Sequence, residues 1–339
     1  MPRILGTGLV ALDLIVEHYE SHQKLLVGGG GTCGNVLAIL ARAGWQSHLI
    51  GALDHSVWSE IMLSDLELAG VRTEAFVREP GARPSLIVEH LKRSGDSAGH
   101  HWFSLVCPRC HNDWPGLHAA PDTAIRKGSL AVAGQDVIFV DRLSEGVMEL
   151  ASYAKRDGAL IVYEPSSKQD RPWVRDMLGL ADIVKYSCER ADALGVDSEE
   201  IKASLLVVTD GKRGTRWRLG GHADVWHHQP AHPAPHIVDT CGAGDWFTAG
   251  LLLMLFGETA RQQPPRLVSS VVAQAMNAAS ALAAWSCGFV GARGALYEAS
   301  SAELARKVRL GGEQLLPKEA LRRPVLPEAG CEELASICG

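Results

Sequence analysis

The chain has 339 residues, 46% of them hydrophobic and 21% charged, and a formal net charge of −6. Apolar content of that size excludes a mostly disordered protein, and the acidic balance excludes binding to nucleic acid or an anionic membrane through charge alone. No apolar run reaches the ~18–20 residues of a membrane span. Eight cysteines are too few for a disulfide scaffold, and the Gly-broken start Met1-Pro2-Arg3-Ile4-Leu5-Gly6-Thr7-Gly8 does not read as a signal peptide. The expectation is a cytoplasmic protein with reduced thiols, built as one large α/β domain or as two smaller ones.

In chain order, Ile4 to Leu14 predicts a first strand with glycines inside it. A polar stretch, Glu17 to Lys24, leads into Leu25-Leu26-Val27, which reads as a short strand pair or an exposed flap. Small and apolar residues at helical spacing from Val36 to Ala43 predict a helix stopped by Gly44, and a second helix runs from Ser59 to Ala69 before Gly70. Between them lies the short strand Ser47 to Ile50. The β-rich runs Ser85 to His90 and His101 to Val106 flank a turn-like segment, Lys92 to Gly99.

From residue 130 the pattern is regular. Strands are predicted at Val137 to Val140, Ala159 to Tyr163, Ile183 to Tyr186 and Leu205 to Thr209, with a helix at Glu145 to Arg156 and apolar helices at Thr248 to Phe256 and Leu267 to Ala284. Short apolar strands alternating with amphipathic helices imply βαβ units and a parallel sheet. The segment from Gly311 to Gly339, with Pro317, Pro324, Pro327 and many charges, is expected to pack loosely.

The most chemically specific block is Asp239-Thr240-Cys241-Gly242-Ala243-Gly244-Asp245-Trp246-Phe247. A Gly-Ala-Gly turn opening onto an apolar helix lets backbone N–H groups converge where the helix dipole is positive. That arrangement suits a phosphate, or charge developing on a phosphoryl group. A carboxylate in the first helical turn, Asp245, then lies where it can take a proton from a substrate hydroxyl. A plain capped turn would need neither of the two flanking acids.

At this block the sequence resembles the PfkB, or ribokinase-like, family of carbohydrate and nucleoside kinases, whose motif Asp-Thr-x-Gly-Ala-Gly-Asp-x-Phe is matched at every fixed position. The resemblance covers roughly residues 3 to 300. It implies Asp245 as catalytic base, the backbone of Gly242, Ala243 and Gly244 as anion hole, and Thr240 near the ATP phosphates. Asp13 resembles the family's substrate-binding Asp, and Gly29, Gly30 and Asn35 its glycine pair and substrate-binding Asn. A bare glycine loop permits close approach of a polyhydroxylated ligand, whose hydroxyls Asp and Asn can pair. Thr209 and Gly211 resemble the nucleotide-binding strand end and turn, and Asn277 a residue near the adenine pocket. Where the family often carries Asn-x-x-Glu this chain has Ser187-Cys188-Glu189-Arg190.

The resemblance implies a three-layer α/β/α fold with a mostly parallel central sheet, spanning 1–310, and a small β-flap from about 13–27 and 84–106 acting as a lid; 311–339 would be a tail. It implies ATP-dependent phosphorylation of a hydroxyl, primary by expectation, on a sugar or sugar-like molecule, with Mg²⁺ carried by the nucleotide. A nucleoside kinase, kept open by Trp102 and Phe103 on the flap, and a non-catalytic sugar or nucleotide sensor are the alternatives. The expected partners are the small-molecule substrate and a second copy in a homodimer, with no nucleic acid and no membrane.

A separate signal is Cys107-Pro108-Arg109-Cys110-His111. The spacing places two thiolates for one tetrahedral Zn²⁺, with His100, His101, His111 or His118 completing the set. A reduced turn with two buried thiols and a redox pair remain alternatives. Arg109 could meet an anionic group on the substrate. His222, His227, His228, His232 and His236 lie in a Pro-bearing stretch read as a solvated loop.

Overall fold

The structure is a computed structural model that describes residues 1–93, 100–108, 111–114, 116–117, 119–166, 168–220, 225–257, 267–308 and 321–325. Among these, fourteen strands and ten α-helices follow in chain order: β1 (Arg3–Thr7), β2 (Ala11–His18), β3 (Gln23–Gly30), α1 (Thr32–Arg42), β4 (Gln46–Leu49), β5 (Gly51–Leu53), α2 (Val57–Leu68), β6 (Phe76–Arg78), β7 (Ser85–Lys92), β8 (His101–Ser104), α3 (Asp122–Gly128), β9 (Val137–Val140), α4 (Glu145–Arg156), β10 (Leu160–Tyr163), α5 (Arg171–Leu180), β11 (Ile183–Ser187), α6 (Ala191–Leu194), β12 (Leu205–Thr209), β13 (Thr215–Leu219), β14 (His227–Gln229), α7 (Ala243–Phe256), α8 (Ser269–Ser286), α9 (Gly294–Glu298) and α10 (Ser301–Val308).

The main sheet runs β14-β13-β12-β11-β10-β9-β1-β4. Its six strands from β12 to β4 are parallel, and β13 and β14 add an antiparallel edge. The parallel strands are apolar on both faces because helices cover both. Along β9, Val137 and Phe139 pack toward α1, α7 and α8, while Ile138 and Val140 pack toward α4 and α5. Leu205 and Val207 of β12 divide from Leu206 and Val208 in the same way. This period-two division produces the three layers. α7 is apolar all round because α1 and α8 enclose it, as its near-continuous burial shows.

A second sheet, β3-β2-β7-β8, stands apart from the first. The single strand predicted over Ile4 to Leu14 is in fact two: β1 belongs to the main sheet and β2 to the small one. The break has a local cause. The Leu9 N–H donates to Asp141 Oδ1 at 2.8 Å, and a Cβ on Gly8 would collide with that carboxylate. Gly8 therefore lets the chain pass Asp141 and leave the sheet. Of the segment from 311 onward only 321–325 is described. There Leu321 is buried, and Arg323 donates to the Val290 carbonyl at 2.9 Å and to Glu298 at 2.7 Å.

Candidate active site

Asp245 lies in the first turn of α7, with its side chain buried. Gly242 caps that helix at φ 74°, and a Cβ there would come within 2.5 Å of Ala292 Cα, so this cap requires glycine. Among the described residues, no backbone partner takes the N–H groups of Gly242 and Gly244, while the Asp245 N–H returns to the Gly242 carbonyl. Free donors at a helix N-terminus form a ready anion site. Burial, with Glu164 nearby, pushes the Asp245 carboxyl up to about 6; a hydrogen bond from Asn35 and the charges of Lys185 and Arg190 oppose the rise.

The turn is held from behind. Lys185, at the middle of β11, donates to Glu164 Oε1 at 2.6 Å and to the Gly244 carbonyl at 3.0 Å. The Thr248 hydroxyl lies 2.8 Å from Glu164 Oε2 and 3.1 Å from the Gly244 carbonyl. All three side chains are buried. The sequence reading did not single out Lys185, Glu164 or Thr248. The one available signal was a charged residue inside an otherwise apolar strand at Lys185.

The Asn35 amide donates to Asp245 Oδ2 at 2.7 Å, and its oxygen accepts from Arg293 Nε at 2.9 Å. Arg293 pairs with Asp65, and both are fully buried. The Tyr297 hydroxyl donates to Asp65 Oδ1 at 2.8 Å and accepts from the Gly29 N–H at 2.9 Å. The chain Asp245–Asn35–Arg293–Asp65–Tyr297–Gly29 thus ties α7, α1, α2, α9 and β3 together. Arg293, Asp65 and Tyr297 are further residues that the sequence reading missed. A Cβ on Gly30 would run into the Asp13 carboxylate, so glycine at 30 lets β3 pass over Asp13. Burial pushes Asp13 up to about 7 against the pull of Arg293.

Asp239 accepts from the N–H groups of Cys241 at 2.9 Å and Gly291 at 2.7 Å, and lies 3.2 Å from His101 Nδ1 on β8. Burial alone would raise its pKa, but hydrogen bonds from His101, from the Glu89 carboxyl and from these two N–H groups hold it below the usual carboxylate range. Thr240 Oγ1 is 3.3 Å from the same His101 nitrogen. Glu89 of β7 is buried beside this group.

The remaining sequence candidates lie elsewhere on the main body. Thr209 ends β12, and Gly211 opens the turn after it at φ 49°. Asn277 of α8 lies 2.9 Å from His232 Nε2. Ser187 ends β11, and the charge of the exposed Arg190 reaches Asp245 and draws its pKa down. Cys107 is buried, but Arg109, Cys110 and His118 lie outside the described residues. The metal-competent groups among the described residues gather around Glu89, not around Cys107, and nothing supports zinc at the Cys107–Cys110 pair.

The chain and its fold are similar to those of known kinases. The chain is 26% identical to a fructokinase from Vibrio alginolyticus over 302 residues, covering 84% of this chain and 93% of the relative. It is 27% identical to a fructokinase from Klebsiella pneumoniae, with 74% and 82% covered. The fold matches the ribokinase from Giardia lamblia with a TM-score of 0.69 at 15% identity, over 91% of this chain and 98% of that one. It also matches the Burkholderia thailandensis nucleoside kinase in complex with inosine, with a TM-score of 0.65 at 17% identity over 91% and 96%. The architecture is therefore ribokinase-like. The family model described as "pfkB family carbohydrate kinase" matches residues 1–298; the chain belongs to the pfkB family of carbohydrate kinases.

Proposed function

We propose that the protein transfers the γ-phosphoryl group of ATP to a primary hydroxyl of a sugar. Support comes above all from the Asp245 carboxylate, buried, with a pKa near 6, hydrogen-bonded to Asn35, and placed in the turn whose Gly242 and Gly244 N–H groups have no backbone partner among the described residues. In the proposed step Asp245 accepts the hydroxyl proton as the sugar oxygen bonds to phosphorus, and the bond to the departing ADP oxygen breaks. Charge on the transferring group meets the N–H groups of the turn. Asp13 and Asn35 position the acceptor, and the small sheet closes over it as a lid that excludes water.

The side-chain-free turn fits the phosphates, since Gly244 has only Lys185 Nζ near its missing Cβ, at 3.2 Å. Thr240, Thr209, Gly211 and Asn277 would line the nucleotide. Mg²⁺ bound to ATP would neutralise its phosphate charge, and Asp245 is a carboxylate at the turn that its charge would face.

A ketohexose is the first acceptor to test, because curated relatives are fructokinases and a similar solved structure from Vibrio cholerae is described with fructose, ADP and calcium bound (22% identity, TM-score 0.64, 86% and 94% covered). Purified protein would be screened for ADP release with fructose, ribose, other sugars and inosine. Turnover with a sugar supports the reading. Turnover with inosine alone would make it a nucleoside kinase, a reading favoured by the exposed Trp102 and Phe103 on β8. Binding without any turnover would make it a sensor.

A further inference from the structure

Three carboxylates, an imidazole and a thiol meet where the small sheet touches the main body. Glu89 comes from β7 and His101 from β8, both in the small sheet. Asp239 and Cys241 come from the segment entering α7, and Asp13 from β2. One donor atom each from Glu89, His101 and Asp239 lie within 4.8 Å of one another, and the same holds for Asp13, Glu89 and Cys241. Glu89 is common to both groups.

Glu89 is fully buried, and among the described residues neither of its oxygens is bonded by a backbone N–H, a hydroxyl or a basic side chain. The Asp239 carboxylate and the Cys241 thiol face it closely enough to share hydrogen bonds with it, and the Asp13 carboxylate adds a further like charge. A buried carboxylate against a second carboxylate is costly unless a shared proton or a positive charge stands between them. The only cationic candidate in the cluster is His101, and its Nδ1 faces Asp239. The proposed phosphoryl transfer uses neither Glu89 nor His101.

We infer that Glu89, His101 and Asp239 bind one divalent transition-metal ion, of the zinc or cobalt class, which fastens the small sheet to the body. One imidazole nitrogen and two carboxylates are a donor set such ions take readily. Donors around one zinc ion lie roughly 3.3–3.6 Å apart at tetrahedral bond lengths, so the triad closes on an ion with shifts of about an ångström or less. Two ligands on the small sheet and one on the body make this a clasp: the ion holds best when the sheet is down, and it steadies that position in turn. The site is independent of the acceptor's identity and of the Cys107–Cys110 pair.

The test is titration of chelator-treated full-length protein with Co²⁺, followed by visible absorption, and then competition by Zn²⁺. One ion per chain is expected. Glu89→Gln and His101→Asn should each weaken binding more than about tenfold, and Cys107→Ser should leave it unchanged. Circular dichroism and melting curves of each variant check that it folds. Absence of saturable binding in the wild-type chain overturns the inference and leaves a shared proton between Glu89 and Asp239. Binding that survives Glu89→Gln and His101→Asn but is lost in Cys107→Ser also overturns it, and assigns the ion to the cysteine loop. Neither outcome depends on whether a sugar is phosphorylated.

Discussion

The Asn35 side chain donates to Asp245 Oδ2 at 2.7 Å, joining two residues 210 positions apart in the chain. Because Arg293 Nε occupies the Asn35 oxygen, the Asn35 amide is oriented with its NH₂ toward Asp245. One carboxylate oxygen of Asp245 is thereby fixed. The same bond favours the ionised form that a general base needs, against the burial that opposes it.

Replacing Asp245 with Asn keeps the shape and removes the proton acceptor. With the acceptor identified, kcat should fall by on the order of 10²–10⁴. ATP affinity, read by calorimetry, should change little. Near-normal turnover would remove Asp245 from the role of base.

The pH profile follows from the same group. A base with a pKa near 6 is protonated and inactive below that value, so kcat/KM should rise about tenfold per pH unit up to about pH 6 and then level. Lys185→Met removes a charge that lowers the Asp245 pKa and leaves Glu164, which raises it, uncompensated. The acid limb should then move to higher pH. A limb that stays in place, or moves down, would contradict the assignment.

Asp13 is held near 7 in the fold against 3.8 ordinarily, so folding favours its protonated form. Its stability contribution is therefore complete below about pH 4 and is lost as pH rises through 7. Asp13→Asn should melt close to wild type at pH 4 and higher than wild type at pH 8, by on the order of 1–3 kcal/mol. The variant should lose acceptor binding all the same, because the Asn cannot offer two acceptor oxygens to neighbouring hydroxyls. Equal melting differences at the two pH values would sink the argument.

Arg293 and Asp65 form an ion pair with no exposed side-chain surface. Removing one partner strands the other, so Arg293→Met should cost about 3–5 kcal/mol in chemical denaturation. The double variant Asp65→Asn/Arg293→Met should be more stable than Arg293→Met alone. Additive losses would mean that the two residues do not act as a pair.

The chain's own order of residues determined much of this protein. The strands at 137–140, 160–163 and 205–209 and the helix at 145–156 are written in short apolar runs and in one amphipathic period, because parallel strands covered on both faces need no polar positions. The turn at Gly242–Gly244 was equally legible, since local backbone chemistry makes it: a left-handed cap, a helix start and an acid in the first turn. The break at Gly8 was not legible, because its cause is Asp141, which binds Leu9 from 132 positions further along the chain. The same holds for Lys185 behind the turn, for Arg293 against Asp65 and Asn35, and for the meeting of Glu89 with Asp239. Each of these is a buried charge whose partner sits on a distant element. Periodicity reports which face of a strand or helix is buried, but not what it is buried against. Only tertiary packing decides which charges are brought together, and that decision sets the pKa values on which the proposed chemistry depends.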